Sequence, residues 1–73
     1  MEMKMGDLIK TMVEKTTYSG DSGDIIVKKG AVGLVCEIYK DGTLFVEFDE
    51  NETSTPCFCE YKEGEYVKYK NEN

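Results

Sequence analysis

Seventy-three residues carrying a formal net charge of -6 allow one domain, close to the size below which a chain struggles to fold without a metal, disulfides or a partner. The chain contains no Arg, Trp or His. That absence takes away the usual phosphate fork, the usual proton-transfer group and the usual nitrogen ligand, so direct nucleic-acid binding and acid–base catalysis are not expected.

Residues 1–5 read as a disordered leader. Met-Glu-Met-Lys-Met lacks the apolar stretch of a signal peptide, and no later run reaches the roughly 20 apolar residues of a membrane span. A cytoplasmic protein without membrane contact is expected. A single domain over residues 6–70 then opens at Gly6-Asp7. The run Leu8 to Lys15 fits two templates: alternation groups Ile9, Thr11 and Val13 on one strand face, whereas a 3.6 period groups Leu8, Ile9, Met12 and Val13 on a helix capped by Asp7. The strand is favoured, because the run is short for a helix and Thr16-Thr17-Tyr18 extends it with β-formers. Ser19 to Asp24 is a polar, Gly-rich loop, and its Gly20-x-x-Gly23 is too short and too acidic to cradle a phosphate. Ile25-Ile26-Val27 brings the chain back to the wall of the fold.

The centre is a β-hairpin. Gly30 to Tyr39 and Leu44 to Phe48 are rich in β-branched and aromatic residues, and Asp41-Gly42 between them is a strong signal for a tight turn, since Asp and Gly tolerate positive φ. In the second run Leu44, Val46 and Phe48 share the core face, and Phe45 and Glu47 the wet one. In the first, Gly33, Val35 and Ile38 break strict alternation, which places a bulge or strong bend near Cys36-Glu37.

Asp49 to Pro56 is an acidic loop, and Pro56 keeps it out of an interior strand. Residues 47–65 hold seven acids and one lysine, whereas residues 1–46 hold seven acids and six lysines. Nearly all the excess charge is therefore in one segment. Cys57 to Tyr61 resumes a strand with Cys57, Cys59 and Tyr61 on one face, Lys62 to Glu65 turns, and Tyr66 to Tyr69 forms a last short strand before a disordered tail over residues 71–73.

This layout resembles the SH3-like small β-barrels: about five antiparallel strands, a long first loop, and a Gly-rich approach to a central hairpin. The local likeness lies in Val27 to Ile38 followed by Leu44 to Phe48, which is similar to the G-x-x-G-x-V-x-x-I and V-x-V/F pattern of KOW-type barrels and of the small accessory subunits of photosystem I and ferredoxin-thioredoxin reductase. The resemblance implies an all-β, SH3-like barrel and an accessory or recruiting role rather than catalysis. KOW barrels often bind RNA; the lack of Arg and of a basic stripe here argues against that partner.

Three cysteines without a secretory signal fit reduced thiols. Cys36, Cys57 and Cys59 would make a three-thiolate zinc or copper(I) site if they converged, but no fourth Cys and no His completes the usual ligand set, and core filling is the simpler role. No cofactor is expected. The acids Glu47, Asp49, Glu50 and Glu52 with Glu60, beside Phe45, Phe58 and Tyr61, read as the binding residues of a non-enzymatic adaptor that meets a protein with a basic surface. Two alternatives remain at this level: a small acidic, phage-type inhibitor that imitates nucleic acid, and a thiolate metal protein. A homodimer through the edge of the short last strand is a further expectation.

Overall fold

The computed structural model describes residues 3–20 and 23–70. Seven strands run through them: β1 (Leu8–Thr11), β2 (Lys15–Ser19), β3 (Gly23–Val27), β4 (Val32–Ile38), β5 (Leu44–Phe48), β6 (Cys57–Tyr61) and β7 (Tyr66–Tyr69). All pairings are antiparallel. β6-β5-β4-β1-β7 form a five-stranded sheet and β2-β3 a separate two-stranded one. Among the described residues there is no helix, and neither sheet closes on itself. The expectation of about five strands undercounts the first third of the chain.

The helical template for Leu8 to Lys15 fails for a reason visible at Thr11. Its buried hydroxyl donates to the Lys28 carbonyl at 3.0 Å and accepts from the Gly30 N–H at 3.0 Å. Met12 N–H leaves the β1 line to donate to the Glu65 carbonyl at 2.8 Å. With the Thr11 N–H also donating to the Ala31 carbonyl at 2.9 Å, two N–H groups that a helix would use internally are committed to distant partners, and the run breaks into β1 and β2. Residues 1–2 of the expected leader, the residues 21–22 of the polar loop and the expected tail at 71–73 lie outside the described residues. Met3, by contrast, packs against the core, and Lys4 N–H donates to Asp7 Oδ2 at 2.8 Å.

The central hairpin forms as its composition dictates. Leu44, Val46 and Phe48 are buried, and the ladder shifts register between Val35 and Glu37, so that Cys36 is the bulged residue. The turn differs in detail. Tyr39 N–H donates to the Thr43 carbonyl, enclosing three residues, and only Gly42 takes positive φ, at 90°. Asp41 instead accepts the Thr43 N–H on its side chain at 2.9 Å, the Asx arrangement that closes a wider loop.

The core joins both sheets: Ile9, Val35, Leu44, Val46, Phe48, Cys57, Cys59 and Tyr61 from the larger, Ile25 and Val27 from β3. Burying each of the larger side chains contributes about 1.5–3 kcal/mol. Gly33 faces this core, and a Cβ there would lie 2.6 Å from Phe48 Cε1. Phe48 can cross β4 at that point only because no side chain is present. The β2-β3 hairpin lies along the free edge of β6, where Thr17 Oγ1 donates to the Phe58 carbonyl at 2.9 Å and Lys15 Nζ to the Glu60 carbonyl at 2.8 Å. Side chains, not a backbone ladder, satisfy that edge.

Candidate functional site

The antiparallel register of β5 and β6 builds a checkerboard on the face turned away from the core. Phe45 pairs with Glu60 and Glu47 with Phe58. The two rings therefore occupy one diagonal and the two carboxylates the other. Diagonal neighbours are within reach of aromatic side chains, and Phe45 and Phe58 stack with centroids 4.9 Å apart and planes 9° from parallel. Phe58 keeps 46% of its surface exposed. Tyr39 extends the cluster: its ring centroid is 6.4 Å from that of Phe45, and its hydroxyl donates to Glu60 Oε2 at 3.2 Å. Burial first, then the Glu60 carboxylate, raise the Tyr39 phenol above its usual range.

Beside the rings lies a shallow cleft of about 310 Å³ lined by Leu8, Val32, Gly33, Leu34, Glu47, Asp49, Asn51 and Glu52. It exists because β5 stops at Phe48 while β4 begins earlier, at Val32. The loop after β5 turns aside, with Asn51 N–H donating to Asp49 Oδ1 at 2.9 Å and the buried Thr53 hydroxyl donating to the Thr55 carbonyl at 2.7 Å. Val32 N–H, left without a strand partner on that side, donates to Glu52 Oε1 at 3.1 Å. Glu52 is thus held across the cleft from β5. A larger cleft of about 510 Å³, with Met3, Ile38, Leu44, Tyr66 and Val67 among its lining, carries Glu63 and Lys68 and none of the residues expected to bind a partner.

The residues expected to bind a partner fall into distinct places. Phe45, Phe58 and Glu60 form the checkerboard with Glu47, and Glu47, Asp49 and Glu52 line the cleft. Glu50 is exposed and does not line it. Tyr61 leaves the set: it is 0% exposed, with its ring edge against Phe48. Alternation is the reason, since Tyr61 shares the inward parity of Cys57 and Cys59 and a ring on that side fills the core. Its hydroxyl is buried without a hydrogen-bond partner among the described residues. Burial, with the Cys59 thiol beside it, holds this phenol far above the ordinary range. Of the remaining acids, Glu65 is engaged in an ion pair with Lys15 at 2.8 Å and Glu63 lines the larger cleft.

The three thiols do not converge. Cys57 and Cys59 are buried inside, whereas Cys36 stands at the bulge, 3.8 Å from Glu47 Oε1. Among the described residues no group of three Cys, Asp or Glu could hold a metal ion. Burial, reinforced by Glu47, pushes the Cys36 thiol up, which leaves less of the thiolate that metals and electrophiles need.

Sequence reasoning missed Leu8, Val32 and Leu34 as members of the site. They are apolar residues of outward parity, and Leu34 keeps 39% of its surface exposed. An apolar residue on the wet parity of a strand is the signal that was available. What the arrangement offers is carboxylate charge and apolar contact area side by side. No family model matches the chain, and no curated protein and no solved structure is significantly similar to it. No helix among the described residues is long and apolar enough to cross a membrane.

Proposed function

We propose that this chain is a non-enzymatic protein-binding module of SH3-like barrel architecture, which presents the outer face of β4, β5 and β6 to a basic protein surface. The strand order β6-β5-β4-β1-β7, with the β2-β3 hairpin laid against β6, supports the barrel reading. The observation that carries the binding reading is the stack of half-buried Phe45 on exposed Phe58, flanked by Glu47 and Glu60 on the outward face. Stacked rings on an outward face lend nothing to the core they turn away from, while aromatic anchors ringed by charge are the usual composition of a docking patch. The carboxylates speed and orient the approach, and the rings supply affinity.

The test is capture from a lysate of the source organism by the wild-type protein, a Phe45→Ala/Phe58→Ala variant and a Glu47→Gln/Glu60→Gln variant, each checked for folding. A partner held by the wild type is expected to be lost by the aromatic variant and to become insensitive to salt in the acidic one. Equal capture by all three proteins rejects this face. A captured partner that nucleic acid displaces turns the reading towards an inhibitor of a nucleic-acid-binding protein.

A further inference from the structure

We infer that the cleft beside the stack is a socket for one basic side chain of the partner, arginine above all, carried on a segment whose neighbouring apolar residue sits on Phe45 and Phe58; this inference rests on the reading above. The cleft asks for an amphipathic cation. Its apolar lining, Leu8, Val32 and Leu34, matches a methylene stem, and Glu47, Asp49 and Glu52 match a charged head. Among the described residues these carboxylates have no cationic partner, the ion pairs being Lys15 with Glu65 and Lys68 with Asp7. Each accepts a hydrogen bond from a neutral donor, Glu47 from the Cys36 thiol, Asp49 from the Asn51 N–H and Glu52 from the Val32 N–H, so their charge is left for a cation from outside. A volume of about 310 Å³ is at the low end for a small-molecule pocket and suits a single long side chain.

The register links socket and rings. Leu34 pairs with Glu47, and Glu47 with Phe58, so an apolar residue, an acid and a ring follow one another across three strands, about 10 Å from first to last. Arginine suits this row better than lysine, because its planar head both forks onto carboxylates and stacks on aromatic faces. A second copy of this chain is a poor occupant, since it brings the same -6 charge to the same carboxylates. A bare metal ion gains nothing from the apolar lining.

The probes are N-acetyl-Phe-Arg-amide and its neutral isostere N-acetyl-Phe-citrulline-amide, titrated into the isotope-labelled protein and followed by amide chemical shifts. The arginine probe is expected to give saturable shifts at Val32, Gly33, Leu34, Glu47 and Asn51, with affinity at least about tenfold above that of the citrulline probe. A Glu47→Gln/Asp49→Asn/Glu52→Gln variant keeps the acceptor for Val32 and is expected to lose that preference. Equal response to both probes, shifts centred elsewhere, or no saturation at millimolar probe overturns the inference. If the cleft is inert while Phe45→Ala/Phe58→Ala still abolishes capture, the socket falls and the docking face stands. If the cleft binds as described while the aromatic variant captures normally, the socket stands and the aromatic anchor falls.

Discussion

Lys15 and Glu65, at opposite ends of the chain, meet at 2.8 Å. Lys15 also donates to the Glu60 carbonyl at 2.8 Å and lies 4.9 Å from the centre of the Tyr61 ring. One side chain therefore ties the β2-β3 hairpin to β6 and to the turn before β7. Lys15→Met is expected to cost about 1–3 kcal/mol in urea unfolding, mostly from the lost charge-assisted bond to a carbonyl. A change below half a kcal/mol would show the clasp to be idle.

The same pair sets an acid dependence. The hydrogen bond from Lys15 and that from the Lys62 N–H hold the Glu65 carboxyl below its usual range. A depressed folded pKa adds stability above the unfolded value, and that stability is lost as pH falls through the folded one. Unfolding measured from pH 7 down to pH 3 is expected to show a shallower acid limb in Lys15→Met and Glu65→Gln than in the wild type. Parallel limbs would contradict this.

Gly33→Ala is expected to destabilise by about 1–3 kcal/mol, because the new methyl group meets Val46 Cγ1 and the Phe48 ring, both fully buried in the core. Gly20→Ala is the control: a Cβ there meets nothing within 4 Å and the backbone angle is not positive. It is expected to be neutral or to stabilise by about 0.5 kcal/mol. Thermal and denaturant melts of the two proteins decide it.

Tyr61→Phe is expected to hold or raise stability, by up to about 1–2 kcal/mol, since it removes a buried hydroxyl that has the weakly bonding Cys59 thiol beside it and no oxygen or nitrogen partner among the described residues, while keeping the ring against Phe48. A clear loss in a melt would reveal a bond to that hydroxyl.

Alkylation of the native protein is expected to modify Cys36 ahead of Cys57 and Cys59, which are buried. It should still be slow, because burial and Glu47 raise the Cys36 thiol. Glu47→Gln should speed it at pH 8, read by mass spectrometry; an unchanged rate would assign the whole effect to burial.

Period-two alternation was legible from residue identity alone. It placed Leu44, Val46 and Phe48 inside, set Phe45 and Phe58 outside, and called for a bulge or bend near Cys36-Glu37, where the ladder does shift register. These are local properties, because a strand's two faces are decided by its own residues. Tyr61 shows the limit of reading types instead of parity: an aromatic near acids looked like an anchor, yet its place after Cys57 and Cys59 put it in the core.

By itself the sequence determined the all-β class, the central hairpin, the inward set of each later strand and the excess of acid from Glu47 onward. Only the tertiary structure decided that residues 8–27 form three strands, that β2 caps the edge of β6, and that Glu47, Asp49 and Glu52 share a cleft while Glu65 serves Lys15. The physical reason is the range of the interactions. Alternation acts between residues two apart, whereas strand partners, edges and carboxylate neighbours depend on register between segments tens of residues apart, which a short strand's own pattern does not encode.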